Sequence, residues 1–178
     1  ASASNKTYDG STTASTTLTF SGLVGSETLG QTVGSTFDNK NVGSNKTVTV
    51  NSITLADGSG LAVNYSISAG QTTTANITAK SLTVSGITGI NKVYDGNAVV
   101  TLDSSSVTYS GLVSGDSFVG AYSGVFANAN VDTGKTVTIT SSYSGSDVNN
   151  YVVTDQSTTT ANITSRPAGV SGITVFGL

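Results

Sequence analysis

The stretch Asn5-Lys6-Thr7-Tyr8-Asp9-Gly10 returns 86 residues later as Asn91-Lys92-Val93-Tyr94-Asp95-Gly96. Further motifs follow both stretches in the same order, at offsets of 86 to 89 residues. The matched pairs are Ser21–Val24 with Ser110–Val113, Phe37–Val42 with Phe126–Val131, Lys46–Val50 with Lys135–Ile139, Asn64–Tyr65 with Asn150–Tyr151, and Thr72–Thr78 with Thr158–Thr164. Motifs repeated in register indicate one folding unit used twice. The three residues that copy two gains early and loses near 141–147 are predicted to lie in loops.

A shorter repeat sets the expected boundaries between the copies. Val84-Ser85-Gly86-Ile87-Thr88 recurs as Val170-Ser171-Gly172-Ile173-Thr174. We predict a first repeat at 1–80, a second repeat at 81–166, and, at 167–178, a strand equivalent to the segment 81–90. Under this division, copy one lacks the strand that opens copy two.

The alternative is that each short segment completes the copy before it, so that the units are 5–90 and 91–176. The two divisions differ in their consequences. Under the first, Val170–Phe176 is a spare strand that would fill the open groove of another chain, because an unpaired sheet edge is a template for strand addition.

The spacing of apolar residues predicts strands rather than helices. Apolar and polar residues alternate with a period of two, and Asp-Gly and similar turn signals fall between the alternating runs. The predicted buried positions are Val48, Val50, Tyr65, Ile67, Ala75 and Ile77, with Val137, Ile139, Tyr151, Val153, Ala161 and Ile163 in copy two. The chain has nine Asp but only one Glu, and Asp prefers turns whereas Glu prefers helices. We therefore predict an all-β or mostly β fold of two tandem domains.

Composition argues against several classes of function. Seven basic residues and a net charge of −3 do not provide the clustered Lys and Arg that nucleic acid requires. The chain has no His and no Cys, which removes the usual general bases, catalytic triads, thiolate nucleophiles and zinc–sulfur sites. No apolar run approaches the ~20 residues of a membrane-spanning helix. We expect a protein that is not an enzyme, uses no cofactor and does not insert into membranes.

The ordered motifs Lys-x-Tyr-Asp-Gly, Phe-x-x-x-Asn-Val, Lys-Thr-Val-Thr, Asn-Tyr and Thr-Thr-Ala-Asn-Ile-Thr resemble the YDG repeats of bacterial surface adhesins. The resemblance covers nearly the whole chain, twice. It implies β-grasp-like modules, with Ig-like sandwiches as the alternative, in an elongated extracellular protein. It carries no catalytic or cofactor-binding residues. Copy two departs from the pattern, because Ala127 and Ala129 replace Asp38 and Lys40, and this puts any charge-based role of that loop in doubt.

The Tyr8-Asp9-Gly10 and Tyr94-Asp95-Gly96 motifs have a structural interpretation. Asp accepts a hydrogen bond from its own downstream backbone, Gly permits a positive φ, and Tyr packs its ring while its hydroxyl finds a partner. The functional alternative is a calcium site at Asp9 or Asp95. Calcium prefers six to eight clustered oxygens, and the acidic residues of this chain are scattered singly.

Lys6 with Asn76, and Lys92 with Asn162, recur at equivalent positions of the two copies. Some surface adhesins join a Lys and an Asn through a spontaneous isopeptide bond that a nearby acid promotes, here Asp9 or Asp95. The ordinary interpretation is a lysine whose stem lies along apolar surface, and an asparagine that bonds local backbone.

Three functions are compatible with these observations. The leading hypothesis is a stalk or spacer module of a large cell-surface or biofilm adhesin, whose partners are neighbouring repeats of the same polypeptide. A second hypothesis is a module that binds a surface glycan or protein through exposed aromatics, for which Tyr109, Tyr122 and Tyr143 are candidates because these tyrosines have no tyrosine counterparts in copy one. The third is a self-assembling surface fibre built by donor-strand exchange.

Overall fold

The computed structural model describes residues 1–172, and these residues are nearly all in strands or in the turns between strands. The prediction of an all-β fold is confirmed. Within residues 1–172 the helical content is limited to two short 3-10 turns, Ala62–Asn64 and Val148–Asn150, which occupy equivalent positions in the two copies. Among these residues no helix is long and apolar enough to cross a membrane.

The chain forms two compact units whose boundaries differ from those of the sequence copies. Unit one comprises Ala1–Leu82 together with Gly111–Phe118 and Gly145–Val153. Unit two comprises Thr83–Ser110, Val119–Ser144 and the residues from Thr154 onward. Two short segments of copy two therefore belong to the same compact unit as copy one.

Unit one is built around a five-stranded sheet. Its strands are β1 (Ser2–Ala3), β2 (Lys6–Thr7), β3 (Thr13–Ala14), β4 (Thr16–Thr17), β5 (Leu29–Phe37), β6 (Gly43–Asp57) and β7 (Thr72–Thr78). The order in the main sheet is β2-β7-β6-β5-β3, with β1 and β4 as a separate antiparallel pair. Strand β2 pairs parallel with β7, with Lys6 opposite Ile77, and the remaining pairings are antiparallel.

A β-bulge adjusts the apolar face of the long strand β6. Gly34 pairs with Ser52 and Ser35 pairs with Val50, so that Asn51 is the additional residue. An extra residue changes the phase of the two-residue alternation. This is why Val48 and Val50 can share a face with Ile53 and Leu55 although their sequence positions differ in parity.

The remaining strands repeat this arrangement. They are β8 (Lys80–Ser85), β9 (Thr88–Gly89), β10 (Lys92–Val93), β11 (Val99–Val100), β12 (Leu102–Asp103), β13 (Thr108–Ser110), β14 (Val119–Phe126), β15 (Asp132–Ser144), β16 (Tyr151–Thr154) and β17 (Thr158–Thr164). The five-stranded sheet of unit two has the order β10-β17-β15-β14-β11, which matches unit one strand for strand. Here too the first strand pairs parallel with the last, with Lys92 opposite Ile163.

The segment 81–90 makes its hydrogen bonds with copy two. Thr83–Ser85 of β8 pairs antiparallel with β13. The Ile87 N–H donates to the Gln156 side chain, which in turn donates to the Ile87 carbonyl, at 2.9 and 2.7 Å. These contacts place 83–87 beside residues of copy two; the division at 80 and the alternative units 5–90 and 91–176 stay predictions. At the predicted strand 167–178, residues 167–172 form no strand, and 173–178 lie outside the described residues.

Most of the predicted core positions are buried. Val48, Val50, Ala75, Ile77 and their partners Val137, Ile139, Tyr151, Ala161 and Ile163 are all under a tenth exposed. Tyr65 and Val153 are half-buried. The prediction for Ile67 is wrong, because its side chain is 37% exposed. The chain after the turn Ala62–Asn64 forms no strand, whereas copy two forms β16 there, so the alternation around Ile67 does not reflect a packed sheet face.

Candidate functional site

The predicted Asx turn is present in both tyrosine motifs. The Asp9 carboxylate accepts a hydrogen bond from the Ser11 N–H at 2.8 Å, and Asp95 accepts one from the Asn97 N–H at 3.1 Å. Gly10 and Gly96 have φ of 79° and 85°, in the left-handed region that glycine tolerates best. Residue identity and backbone geometry therefore agree in each copy.

In each copy a lysine ammonium contacts the aspartate carboxylate of the turn. Lys6 Nζ lies 2.8 Å from Asp9 Oδ1 and donates to the carbonyls of Ser11 and Thr13. Lys92 Nζ contacts Asp95 at the same distance. The hydrogen bond from Lys92 lowers the pKa of Asp95, helped by the Asn97 N–H. Burial alone would raise the pKa of Asp9, but the bonds from Lys6 and Ser11 outweigh it and lower that pKa too.

These contacts bear on the calcium hypothesis for Asp9 and Asp95. The carboxylate oxygen that would bind a cation faces a lysine ammonium in each copy. Within residues 1–172 no three Asp, Glu, His or Cys side chains cluster in a way that could hold a metal ion. The two aspartates act here as acceptors that organise a turn.

The structure places Lys6 and Asn76 on opposite faces of the sheet. Lys6 is paired with Ile77, and neighbouring side chains of a strand alternate between faces. The Asn76 side chain instead accepts the Asn45 N–H at 2.8 Å, and Asn162 accepts the Gly134 N–H at 2.7 Å. Each asparagine thus supports a residue of positive φ, 51° at Asn45 and 62° at Gly134. This arrangement does not bring together the two groups that an isopeptide bond would join.

The first tyrosine motif is covered by copy-two residues of unit one. Tyr8 is 1% exposed. Its hydroxyl donates to Asp116 Oδ2 at 2.8 Å, and its ring meets the ring of Tyr151 edge-on, with centroids 5.5 Å apart. The ammonium of Lys40 lies 5.8 Å from the Tyr8 ring centroid, close enough for a cation–π interaction.

Lys40 is at the centre of the ion-pair network of this site. Its ammonium lies 2.9 Å from Asp116 and 2.8 Å from Asp147, whose side chains are 3% and 9% exposed. The hydrogen bond from Lys40, together with the Ser117 N–H, lowers the pKa of Asp147 to about 2. The doubt raised by Ala129 about a charge-based role of the loop is therefore corrected for copy one, where the charge of Lys40 binds two buried carboxylates.

Asp116 also binds two tyrosines. Burial alone would raise its pKa, but bonds from Tyr151, Lys40 and Tyr8 outweigh burial and lower it. The Tyr151 hydroxyl donates to Asp116 at 2.5 Å and accepts the Val113 N–H at 3.0 Å. Burial, and then the bond to Asp116, raise the pKa of Tyr151 to about 12. Protons and charges in this network are therefore fixed over the whole neutral range.

A buried asparagine completes the contact. Asn150 is 3% exposed. Its side-chain oxygen accepts the Val42 N–H at 2.9 Å, and its amide donates to the Asn41 side chain at 3.2 Å. In the Asn-Tyr motif of copy two, Asn150 thus bonds the backbone of copy one, and Tyr151 bonds Asp116.

The second tyrosine motif has the same turn but a different environment. The Tyr94 side chain is 40% exposed, and Val131 is 50% exposed. Ala127 and Ala129 take the places of Asp38 and Lys40. Lys135, the counterpart of Lys46, compensates by donating to Asn128 and Asn130 at 2.8 and 2.9 Å. The loop that contains Ala127 and Ala129 is therefore held by Lys135, and it has no charged side chain at the position of Lys40.

The three tyrosines singled out as glycan-binding candidates lie together in unit two. The hydroxyls of Tyr109 and Tyr122 are 2.9 Å apart, and the rings of Tyr122 and Tyr143 meet edge-on at 6.3 Å. The Tyr143 hydroxyl donates to Asp155. Burial and the bond to Asp155 raise the pKa of Tyr143 to about 12. All three hydroxyls thus have hydrogen-bond partners within unit two, and all three residues are half-buried.

The residues that sequence reasoning missed are Lys40, Asp116, Asp147 and Asn150 as one group. Their contacts join residues 76 to 109 positions apart, which no local pattern indicates. One signal was available. Lys40 and Asp147 are two charged residues whose equivalents in the other copy are apolar, Ala129 and Leu61 respectively.

Comparison with known proteins gives one family. A family model described as the YDG domain matches residues 1–75 and 78–161, which include both tyrosine motifs and most of both five-stranded sheets. No curated protein and no solved structure shows a significant match to the chain.

Proposed function

The chain belongs to the YDG domain family, and we propose that it is an extracellular stalk or spacer module of a large bacterial surface or biofilm adhesin. The observation that carries the proposal is the contact between successive copies inside unit one. The contact is formed by the side chains of Lys40, Asp116, Asp147 and Asn150. A spacer needs residues of successive repeats to bind one another, and inside unit one Lys40 of copy one binds Asp116 and Asp147 of copy two through charge-assisted hydrogen bonds.

The use of the recurring motif residues supports the same proposal. Lys6 and Lys92 hold turns, whereas Asn76 and Asn162 bond the β-bulges between Gly43 and Lys46 and between Asp132 and Lys135. The motif residues with matching contacts in both copies are thus those that preserve the fold. A module whose task is to transmit load and maintain length depends on such residues.

Force spectroscopy on the whole chain, pulled from its two ends, tests the load-bearing role. Tyr8→Phe removes the hydroxyl that binds Asp116, and Tyr94→Phe is the matched control at the exposed motif. We expect Tyr8→Phe to lower the unfolding force and the free energy of unfolding, the latter by about 1.5–3 kcal/mol, because a hydrogen bond to a charged group is lost. The control should change stability by no more than about 0.5 kcal/mol. Equal effects of the two substitutions would argue against the spacer proposal.

The alternative of a glycan- or protein-binding module rests on the cluster of Tyr109, Tyr122 and Tyr143. Its test is binding of the intact chain to a glycan array and to matrix polysaccharide. Binding that is lost in Tyr122→Ala and retained in Tyr94→Ala would favour this alternative over a spacer, since only the first substitution disturbs the cluster.

The alternative of a fibre built by donor-strand exchange is supported by a cleft in unit one. The cleft has a volume of about 320 Å³ and is lined by residues that include Thr19–Ser21, Leu55, Tyr65 and Ile67. The counterparts of Thr19–Ser21 are Thr108–Ser110, which form β13 and pair with β8. Copy one therefore has an opening where copy two seats a strand. Deleting 169–178 should abolish assembly and leave both copies folded if this alternative holds.

A further inference from the structure

One surface of unit two has a covered counterpart within the same chain. We define the Tyr94 face as Tyr94, Ala129, Asn130 and Val131. The equivalent residues of copy one are Tyr8, Lys40, Asn41 and Val42, and in unit one they are covered by Gly111–Phe118 and Gly145–Val153. The exposed fraction of the tyrosine, 40% at Tyr94 against 1% at Tyr8, measures the difference.

The surface that covers Tyr8 also has a counterpart, which is exposed. We define the Tyr65 end as Val24, Glu27, Leu61, Asn64 and Tyr65. The Tyr65 hydroxyl donates to Glu27 and accepts the Val24 N–H at 3.1 Å, as Tyr151 does with Asp116 and Val113. The exposed fraction of Val24 is 71% and that of Leu61 is 56%. Asn64 is exposed, whereas its equivalent Asn150 is buried.

We propose that the Tyr94 face binds the Tyr65 end of a second copy of this chain. The contact inside unit one supplies the template for the pairing. Tyr94 takes the place of Tyr8 and donates to Glu27, which takes the place of Asp116. Asn64 takes the place of Asn150 and bonds Asn130 and the Val131 N–H.

The differences between the two copies identify the occupant. In the contact of unit one, Lys40 binds Asp147 at 2.8 Å. On the Tyr94 face the lysine is replaced by Ala129, and at the Tyr65 end the aspartate is replaced by Leu61. Both partners of the ion pair are thus exchanged for apolar residues. An aspartate buried against Ala129 would lack a cation, which is costly, so the Tyr94 face selects an end that carries Leu61.

The proposed contact joins different surfaces of the two molecules. A contact of this kind leaves one Tyr94 face and one Tyr65 end free after every addition, so it propagates as a chain of molecules unless the rotation closes it into a ring. It uses no strand exchange and does not require 169–178. It rests on the contact in unit one and not on the spacer role, so either can fail without the other.

Complementary blocked variants of the full chain test the proposal by sedimentation velocity over a concentration series. Val131→Asp blocks the Tyr94 face, and Val24→Asp blocks the Tyr65 end; both side chains are exposed, so the fold is expected to persist and is checked by circular dichroism. We expect the unmodified chain to associate with increasing concentration, each blocked variant to remain a monomer, and an equimolar mixture to form dimers only. Val119→Asp, at an exposed position elsewhere on unit two, should associate like the unmodified chain.

Three results would overturn the proposal. The unmodified chain could stay monomeric up to about 1 mM, which would put the Kd of the contact above that concentration. A blocked variant could associate like the unmodified chain. Association could also disappear on deletion of 169–178 while both blocked variants retain it, which would assign assembly to strand exchange instead.

Restoring the ion pair gives a second and independent measurement. Ala129→Lys combined with Leu61→Asp recreates the Lys40–Asp147 pair across the proposed contact. Because the lysine of the template pair, Lys40, is 35% exposed, we expect association to tighten about two- to five-fold at low salt, and the gain to shrink at high salt. Each single substitution should weaken association. A double variant that behaves as the sum of the two single variants would contradict the proposed register.

Discussion

The two tyrosine motifs of this chain have the same local structure but different surroundings. At both, an aspartate accepts a backbone N–H, a glycine adopts positive φ, and a lysine ammonium fixes the carboxylate from 2.8 Å. Tyr8 is nevertheless buried, whereas Tyr94 is 40% exposed. A six-residue motif therefore determines the turn, and a distant part of the chain determines whether the tyrosine is in a core or on a surface.

The difference shows how a repeat varies its contacts without changing its fold. Lys40 and Ala129 occupy equivalent loop positions, and each loop is held by its own lysine, Lys46 or Lys135. The loop keeps its conformation because the holding lysine lies inside the copy. The residue that points outward is then free to vary with the partner.

The largest expected effect concerns the cores, where the two copies should not differ. Ile77 and Ile163 are each 1% exposed and occupy equivalent positions in β7 and β17. Truncation of either to Ala should cost about 2–5 kcal/mol, because it leaves a cavity. Ile67→Ala, at a 37% exposed position, is the control. Chemical denaturation measures all three, and a clearly smaller loss at Ile163 than at Ile77 would contradict the equivalence of the cores.

The next effect should separate the two motifs. Gly10 and Gly96 share a positive φ, so Ala at either position incurs about 1–2 kcal/mol of backbone strain. A Cβ at Gly10 would also lie 2.8 Å from Val113 Cγ1, whereas a Cβ at Gly96 has nothing within 4 Å. We expect Gly10→Ala to cost about 1–3 kcal/mol more than Gly96→Ala, the usual cost of overpacking. Equal losses of stability would show that Val113 does not cover the first turn tightly.

The sequence was sufficient to predict what is local or periodic. The repeat, the strands, the core positions on β6 and β7 and the Asx turns at Asp9 and Asp95 all follow from spacing and residue type. Ile67 shows the limit of this reasoning, because two-residue alternation cannot distinguish a packed strand from an unpaired segment of similar composition. Burial of Ile67 would depend on a neighbouring strand that its own sequence does not specify.

The network around Lys40 could not be predicted for a related reason. Its members come from three separate parts of the chain and carry residue types that are ordinary in surface loops. Positions that match between the copies indicate the shared fold, whereas the contact between copies depends on positions that differ. The exchange of Lys40 for Ala129 was visible in the sequence, but its meaning required the position of Asp147.

The smallest expected effect is a pH dependence that belongs to the covered motif alone. The bond from Lys40 holds the pKa of Asp147 at about 2, below its ordinary value of 3.8. Because the folded-state pKa is the lower one, Asp147 binds its proton less readily in the folded chain than in the unfolded chain. Its contribution to stability is therefore fully present above pH 4 and is lost as the pH falls toward 2. Leu61, at the equivalent position of copy one, has no proton to exchange.

Other aspartates with lowered pKa values, including Asp9, Asp95 and Asp116, also lose stability on acidification, so the test is a difference between variants. The stability advantage of the unmodified chain over Asp147→Asn should shrink as the pH falls from 4 to 2, as followed by denaturant titration. Carbon-detected NMR titration of the Asp147 carboxyl measures its pKa directly. Lys40→Ala should return that pKa toward its ordinary value, since the main cause of the shift is removed. If the pKa of Asp147 stays low without Lys40, the hydrogen bond from the Ser117 N–H, which lies within copy two itself, lowers the pKa instead of the contact between copies.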